Sequence, residues 1–562
     1  MNQVVSIGNQ GFDSIRQEKS FYIDKTAFIK EWWESRDSIT LITRPRRFGK
    51  TLNMSMLNCF FSNRYKGRGD LFEGLSIWQE EKYRKLQGSF PVLFLSFAAV
   101  KADNLIEAKQ QLKAQLAYLY EENRFLLDGD LLSENEKAEY KKVTMYMGDA
   151  ESSLCLNRLC LYLNRYYQKK VILLLDEYDT PMQEAYVQGY WKEFTAFVRS
   201  LFNASFKTNS CLERAIMTGI TRVSKESVFS DLNNLNVVTT TSREYADAFG
   251  FTEKEVFAAL DQFDLSKRKQ EVKTWYDGFT FGGKRDIYNP WSITNFLDKK
   301  EFRPYWAATS SNSLISKLIQ SAAPEIKEGM ESLLEGEEIV VNFDEQIVFD
   351  QLDQSKNAIW SLLLAGGYLR TEEVEYRGMM LEPWYHLQIT NLETFGAFSS
   401  MFKGWFENAA SNYNEFVEAL LAGRLKEMNV YMNDVALTTF SNFDVGNHPS
   451  KRSQPERFYH GFVLGLLVEL RDRYRVCSNR ESGYGRYDVM LIPLHANDDA
   501  IVIEFKVKDP EEEGSLQDTV KAALQQITEK NYDAELEAAG ILKDRIRHYG
   551  FAFEGKKVLI RE

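Results

Sequence analysis

The stretch Ile39-Thr-Leu-Ile-Thr-Arg-Pro-Arg-Arg-Phe-Gly-Lys-Thr51 decides the fold of the first half of the chain. It begins with a run of strand type and leads into a helical pattern over Leu52–Phe61. A strand, a turn with Gly-Lys-Thr and a helix form the context that a phosphate-binding loop requires. Gly49 lets backbone N–H groups turn toward phosphate oxygens, Lys50 reaches the β- and γ-phosphates, and the hydroxyl of Thr51 can hold Mg²⁺.

One residue departs from the usual loop pattern GxxxxGK[ST], because Arg44 stands where the first glycine is expected. The loop must therefore enter by a different path, which Pro45 can fix through its restricted φ. A chance Gly-Lys-Thr ahead of a helix is the alternative interpretation. If the loop interpretation holds, ATP is bound by the second half of the loop, which comprises Arg46, Arg47, Phe48, Gly49, Lys50 and Thr51.

Two further strand ends carry polar residues. The run Val171-Ile-Leu-Leu-Leu-Asp-Glu-Tyr-Asp179 has the Walker B pattern, in which Asp176 would hold Mg²⁺ and Glu177 would polarise the attacking water. The alternative is a buried strand followed by a polar turn. Ala215–Thr218 is another short strand, and Thr218 at its end would sense the γ-phosphate of ATP.

Arg222 follows this last strand closely and would supply positive charge to the transition state. It would act within one chain or, in a homo-oligomer, across to a second copy. A turn-stabilising threonine and a surface arginine are an equally good interpretation of Thr218 and Arg222.

A second cluster of polar residues lies near the C-terminus. Asp488 opens one strand pattern, and Glu504 and Lys506 stand two apart in the next, so these two project from the same face. In a hairpin Asp488 would lie beside Glu504, and Glu456 upstream is a further acid that could join a metal site. Two carboxylates can hold Mg²⁺ against a phosphodiester while a lysine orients water. The alternative is a hairpin with exposed charged residues.

Composition limits the class of protein. The chain has 562 residues, of which 44% are hydrophobic, and this excludes a disordered chain. Five cysteines without a CxxC pair argue against a zinc site and fit a reducing cytoplasm. The N-terminus does not read as a signal peptide, and no apolar run is long enough to span a membrane. We therefore expect a soluble, cytoplasmic, multidomain α/β protein that makes no membrane contact.

Charge is distributed unevenly. The net charge of −12 argues against general nucleic-acid coating. However, residues 40–68 contain seven basic residues and no acidic ones, and residues 451–486 contain eight basic and four acidic ones. Both basic segments adjoin the proposed phosphate sites, so nucleic acid remains compatible as a partner at a local site.

These motifs together resemble a known combination of two families. The N-terminal part is similar to a bacterial AAA-ATPase-like family with a P-loop module of the STAND/archaeal-ATPase type. The C-terminal part is similar to the PD-(D/E)xK nuclease superfamily. The N-terminal resemblance rests on Phe21–Thr26, Arg44–Thr51, Leu175–Asp179, Thr218–Arg222, Trp275–Phe279, Tyr288–Ser292 and Tyr305–Trp306. The C-terminal resemblance rests on Glu456–Gly461, Gly485–Asp488, Ile503–Lys506, Ala523–Ile527 and Tyr532.

The resemblance implies an α/β protein with three parts. These are a P-loop NTPase domain with a parallel sheet (residues 1–252), a helical or winged-helix-like lid (253–385) and a restriction-endonuclease-like domain (386–562). It implies that Lys50 and Thr51 bind nucleotide and that Asp176 and Glu177 serve Mg²⁺ and hydrolysis. It also implies a nuclease core of Asp488, Glu504 and Lys506, with Glu456 and Gln526 as accessories.

The expected function is ATP binding and hydrolysis coupled to Mg²⁺-dependent cleavage of nucleic acid, with DNA favoured over RNA. The alternative is a signalling ATPase whose nuclease-like domain binds nucleic acid or a partner without cleaving it. In both cases the expected cofactors are ATP and Mg²⁺.

Overall fold

The computed structural model describes residues 3–207, 209–221, 229, 232–306, 324–345, 357–398, 413–439, 463, 467, 470, 473–482, 485–495, 498–509, 513–555 and 557–562. The chain forms two compact units. The first comprises Met1–Ile315 and Val340–Gly396, and the second comprises Ser316–Ile339 and Ala397–Glu562. The domain limits expected after residues 252 and 385 stay a prediction.

The first unit is built on a five-stranded sheet in the order β2-β3-β4-β1-β5, in which every neighbouring pair is parallel. Every residue of β1 and β3 is buried, which explains why their sequences are almost continuously apolar. The strands are β1 (Ile39–Thr43), β2 (Val92–Ser96), β3 (Val171–Asp176), β4 (Leu212–Gly219) and β5 (Leu235–Val238).

Nine helices accompany this sheet in the described residues up to β5. Helix α3 begins at Lys50 directly after the loop that leaves β1, so that loop lies at the carboxyl edge of the sheet. The helices are α1 (Phe12–Gln17), α2 (Ala27–Ser35), α3 (Lys50–Phe61), α4 (Glu81–Leu86), α5 (Leu105–Glu122), α6 (Glu134–Lys141), α7 (Asp149–Tyr167), α8 (Thr180–Val187) and α9 (Trp191–Phe202).

The segment after residue 250 combines helices with two small sheets. Its strands have the orders β6-β8-β7 and β10-β11-β9, and helix α14 leads into the hairpin β10–β11. The winged-helix-like character expected of this segment stays a prediction. The sequence predicted the helices of this segment but not its strands. The elements are β6 (Phe251–Thr252), α10 (Glu253–Gln262), α11 (Lys269–Tyr276), β7 (Phe279–Phe281), β8 (Lys284–Tyr288), α12 (Pro290–Lys299), α13 (Pro324–Glu335), β9 (Ile339–Asn342), α14 (Ala358–Gly366), β10 (Leu369–Arg377) and β11 (Glu382–Ile389).

The second unit contains a mixed five-stranded sheet in the order β12-β13-β14-β15-β16. Strands β14 and β15 are parallel, and the other neighbouring pairs are antiparallel. Helix α17 makes the connection between the two parallel strands. The elements are α15 (Tyr413–Ala422), α16 (Leu425–Thr439), β12 (Tyr474–Ser482), β13 (Gly485–Pro493), β14 (Ala500–Val507), α17 (Leu516–Glu529), α18 (Ala534–Ala538), β15 (Ile546–Glu554) and β16 (Lys557–Arg561).

These two sheets confirm the expected fold class, an α/β protein with a parallel N-terminal sheet and a mixed C-terminal one. The five cysteines, all of which lie in the described residues, carry free thiols. None of the helices in the described part of the chain combines the length and the apolar character that a bilayer-spanning segment needs.

Two asparagines of α16 cover the edge strand β16. The amide of Asn433 accepts from the N–H of Val558 (3.0 Å) and donates to its carbonyl (2.7 Å). One turn earlier, Asn429 makes the same pair of bonds with Ile560 (2.8 and 3.0 Å). Each amide thus replaces the peptide group of a missing neighbouring strand, and the unpaired groups of a sheet edge are satisfied.

We predict that Asn433→Ala destabilises the second unit by about 1–3 kcal/mol, because two backbone groups of Val558 lose their partner. Differential scanning calorimetry of the full chain measures the shift of the transition. Lys426→Ala, an exposed change on the same helix, is the matched control. Equal transition temperatures for the two variants would contradict the edge-covering role.

Candidate functional site

The loop after β1 has a backbone suited to binding an anion. Arg47 (φ 64°) and Gly49 (φ 79°) have positive φ, whereas the residues between and beside them do not. Such alternation of handedness turns successive N–H groups to one side and forms a concave anion nest. A Cβ on Gly49 would meet nothing within 4 Å, so a larger side chain would fit there. Glycine is favoured at this position because of its positive φ.

Arg44 is a buried structural residue, which explains its place in the loop. Its guanidinium donates to the carbonyls of Thr43 (2.9 Å), Thr239 (2.6 Å) and Glu244 (3.3 Å), and it lies 4.8 Å from the ring centroid of Phe281. Burial lowers the pKa of Arg44 to about 9, so the side chain remains charged at neutral pH. The side chain therefore ties the start of the loop to the chain beyond β5.

Lys50 lies within the loop and has backbone partners. Its Nζ donates to the carbonyls of Arg44 (2.9 Å) and Pro45 (2.8 Å). Burial lowers the pKa of Lys50, and the carboxylates that follow β3, first that of Glu177, oppose this shift. Among the residues that the structure describes, these two carbonyls are the hydrogen-bond partners of the ammonium, and phosphate oxygens are acceptors that can replace them.

Asp176 connects the loop with the neighbouring strand. The hydroxyl of Thr51 donates to its Oδ2 (2.7 Å), and the hydroxyl of Thr218 donates to its Oδ1. This is possible because β4 lies between β1 and β3, which places the end of β4 between the loop and Asp176. Burial raises the pKa of Asp176. The structure therefore brings together three predicted residues, and their oxygens are the hard donors that Mg²⁺ prefers.

Glu177 occupies a left-handed backbone conformation (φ 51°) directly after β3. Its N–H donates to the hydroxyl of Thr218 (3.4 Å), and its Oε2 accepts from the hydroxyl of Thr180 (3.2 Å). A non-glycine residue in this conformation costs about 1–3 kcal/mol and persists only where the surroundings impose it. The carboxylate is half-buried at the carboxyl edge of the sheet, beside Asp176.

Asp179 is a residue to which the sequence assigned no role. Its buried Oδ2 accepts from the N–H groups of Ile220 (3.0 Å) and Thr221 (2.9 Å) and from the Thr221 hydroxyl (2.9 Å). A Cβ on Gly219 would lie 2.7 Å from Asp179 Oδ1, so only glycine allows this approach. Asp179 therefore joins the ends of β3 and β4, and the second aspartate of Asp-Glu-Tyr-Asp was the available signal in the sequence. Arg222 lies outside the described residues.

Aromatic residues of the following segment pack on the loop. Phe48 is buried against the rings of Phe279 (4.8 Å) and Phe281 (5.3 Å). The guanidinium of Arg47 lies 4.4 Å from the ring centroid of Trp291. The side chain of Phe48 therefore serves packing, while its backbone belongs to the nest.

The C-terminal cluster lies on the hairpin of β13 and β14. Val489 pairs with Ile503, so the next residues along, Asp488 and Glu504, are neighbours across the two strands. The Oδ2 of Asp488 accepts from the N–H of Phe505 (2.8 Å). Glu504 is buried with 2% exposure, whereas Asp488 is half-buried. The two residues lie one position beyond the last recorded pair of β13 and β14, on the same face of the sheet, and carboxylates are donors that fit Mg²⁺.

Helix α17 packs on this sheet, and two polar groups come from the helix and from the turn that follows it. Gln526 donates from Nε2 to Glu504 Oε1 and to the hydroxyl of Tyr532 (3.0 Å). Burial raises the pKa of Tyr532, and the negative charges of Glu504 and Asp488 add to the shift. Gly550 allows the helix to approach, since a Cβ there would lie 2.9 Å from the carbonyl of Val520.

Two other residues near this cluster have different positions. Gln525 is exposed and bonds with Glu529, so only Gln526 of the Gln-Gln pair reaches the sheet. Lys506 is half-buried on β14, two residues beyond Glu504 and on the same face. Glu456 lies outside the described residues. Tyr532 was predicted only from the family resemblance, because its contact with Gln526 depends on how α17 and the turn after it fold.

A third group of acids lies away from both sites. Oxygens of Glu253, Asp277 and Asp286 lie within 4.8 Å of one another, as a metal site would require. However, Nζ of Lys273 bonds with Glu253 and lies 3.6 Å from Asp277 and 3.3 Å from Asp286. Burial and the neighbouring Asp286 raise the pKa of Asp277 to about 7. The ammonium therefore supplies the cation of this cluster, which is an ion-pair network.

The comparisons with known proteins agree with this geometry. Residues 6–229 match the family model of the predicted AAA-ATPases, and residues 454–562 match that of the PD-(D/E)XK nuclease superfamily. The chain is also similar to the "Uncharacterized protein in vnfD 5'region" of Azotobacter chroococcum mcd 1. The two are 26% identical over 554 residues, which covers 95% of this chain and 94% of the relative. The chain thus carries an AAA-ATPase-like domain and a C-terminal nuclease-superfamily domain, which confirms the resemblance.

We predict that Arg44→Ala lowers the free energy of unfolding of the first unit by about 3–5 kcal/mol, because a large buried side chain is removed and three carbonyls lose their donor. Urea unfolding of the full chain measures this loss. Arg124→Ala, an exposed change, is the control and should stay within about 0.5 kcal/mol of the wild type. An Arg44→Ala protein as stable as that control would show that the guanidinium is dispensable.

Proposed function

We propose that this protein binds and hydrolyses ATP in its first unit and cleaves nucleic-acid phosphodiesters, with Mg²⁺, in its second. One observation supports the ATPase assignment above all. Asp176 accepts hydrogen bonds from both Thr51 and Thr218, so the loop, the Walker B strand and the strand between them converge on one carboxylate. This convergence is what a nucleotide-hydrolysing site needs, and a chance Gly-Lys-Thr does not require it.

Each residue of the nucleotide site has a role that follows from its position. Lys50 and the N–H groups of the nest bind the phosphates, and Arg46 and Arg47 add positive charge at the loop. Thr51 and Asp176 hold Mg²⁺, which neutralises phosphate charge when bound. Glu177 orients and deprotonates water, and Thr218 reports the γ-phosphate. Arg222 is proposed to stabilise transition-state charge.

In the second unit, Asp488 and Glu504 hold the metal, which activates water and offsets charge on the phosphodiester. Lys506 orients that water or stabilises the developing charge. Gln526 holds the carboxylate of Glu504 in place, and Glu456 is proposed as an additional acid. The proposed partner is nucleic acid, DNA before RNA, and the basic stretch at residues 451–486 supports phosphate contacts beside this cluster.

A first experiment tests the ATPase assignment. Lys50→Ala and Glu177→Gln should each lower the ATP turnover of the full chain by about 100-fold or more, since each removes an electrostatic element of the transition state. Glu177→Gln should still bind ATP, because binding depends on the loop. Lys66→Ala, exposed in the same basic stretch, is the matched control. Turnover by Lys50→Ala equal to that of the control would refute the assignment.

A second experiment tests cleavage. Glu504→Gln and Lys506→Ala should abolish Mg²⁺- or Mn²⁺-dependent cleavage of labelled DNA and RNA, measured with and without ATP. Lys508→Ala is the matched control, because Lys508 lies two residues beyond Lys506 and pairs with the exposed Glu554. Cleavage retained in both site variants would contradict the nuclease assignment. ATP turnover without cleavage by the wild type, under either metal, would favour the signalling alternative.

A further inference from the structure

One peptide group of the phosphate-binding loop is held from outside the ATPase sheet. The carbonyl of Arg46 accepts from the indole Nε1 of Trp306 (3.0 Å) and from the amide Nδ2 of Asn289 (3.4 Å). In a trans peptide the C=O and the following N–H point in opposite directions. The two donors therefore turn the N–H of Arg47 to the other side, away from themselves.

That orientation matters for anion binding. A nest binds an anion only when its N–H groups face the same concavity and its carbonyls face away. Arg47 holds a positive φ of 64°, which costs a non-glycine residue about 1–3 kcal/mol. The two hydrogen bonds to the preceding carbonyl, together with the stacking of Arg47 on Trp291, provide the restraint that this conformation needs.

The two donors are themselves fixed. Asn289 caps helix α12, and its Oδ1 accepts from the N–H groups of Trp291 (2.9 Å) and Ser292 (3.2 Å), so its Nδ2 faces the loop. The backbone N–H of Trp306 donates to Glu393 (2.6 Å), and the hydroxyl of Ser292 donates to the same buried carboxylate (2.7 Å). Glu393 therefore holds the backbone of Trp306 directly, and through Ser292 it holds the first turn of α12, which Asn289 caps.

We propose that Asn289, Trp306 and Glu393 are positioning residues of the nucleotide site, which hold the loop in its phosphate-binding conformation. The inference rests on the proposed binding of ATP at this loop. It makes the segment after β5 a part of the nucleotide site, so that phosphate affinity depends on residues more than 230 positions beyond the loop. A purely structural role in the core would instead change stability and leave phosphate affinity unaltered.

The test uses two variants, each of which removes one of the two donors. Trp306→Phe keeps the ring that packs on Phe279 and Tyr368 but loses the N–H. Asn289→Ser keeps a good helix cap but loses Nδ2. Isothermal titration calorimetry on the full chain should show the Kd for ATP, ADP and inorganic pyrophosphate raised about 3- to 10-fold in each, as expected for one lost hydrogen bond. The KM for ATP should rise by a similar factor, with kcat changed less than about twofold.

Trp32→Phe is the matched control, because it loses a buried indole hydrogen bond to Thr40 (3.2 Å) without touching the loop. Its Kd should equal that of the wild type. If the wild type binds nucleotide and both donor variants bind it equally well, this inference is overturned while the proposed function stands. If the wild type binds no nucleotide, both this inference and the proposed function are contradicted. If Trp306→Phe does not fold, the Kd of Asn289→Ser alone tests the inference.

Discussion

The buried carboxylate of Asp176 is the group on which the proposed nucleotide site depends. Removing a carboxylate from water costs several kcal/mol unless it is paired and hydrogen-bonded. Here the hydroxyls of Thr51 and Thr218 provide those bonds, and they reach it only when β4 lies between β1 and β3. The geometry of the site therefore depends on the order of the strands. Asp179 adds to this by joining the ends of β3 and β4.

The loop after β1 contains two buried cations, Arg44 and Lys50, and their partners differ in kind. Arg44 is buried, donates to backbone carbonyls on both sides of the site and lies beside the ring of Phe281, so its contacts hold the start of the loop. Within the described part of the chain, Lys50 donates to two loop carbonyls, which phosphate oxygens can replace. The same stretch of chain therefore carries one cation that maintains the fold and one that is available to a ligand.

The features that could be predicted from the sequence are those that a local pattern of residues determines. Strands buried on both faces were recognised as apolar runs, and the period of two placed Glu504 and Lys506 on one face. Strand β10 was missed because its glutamates favour a helix by propensity, whereas its pairing with β11 decides the structure. The contact between Trp306 and Arg46 spans 260 residues, and no local pattern carries it. The chemical roles of the site residues stay predictions.

The amides of Asn429 and Asn433 bond with main-chain groups, namely those of β16 and, one turn earlier in their own helix, the carbonyls of Leu425 and Asn429. The side chains of Val558 and Ile560 take no part in the four hydrogen bonds to β16. The pairing is therefore indifferent to the sequence of the strand. Over evolutionary time β16 is free to exchange one apolar side chain for another. Positions 429 and 433 of α16 do not have this freedom, because few side chains carry both a donor and an acceptor at the distance that an asparagine amide reaches.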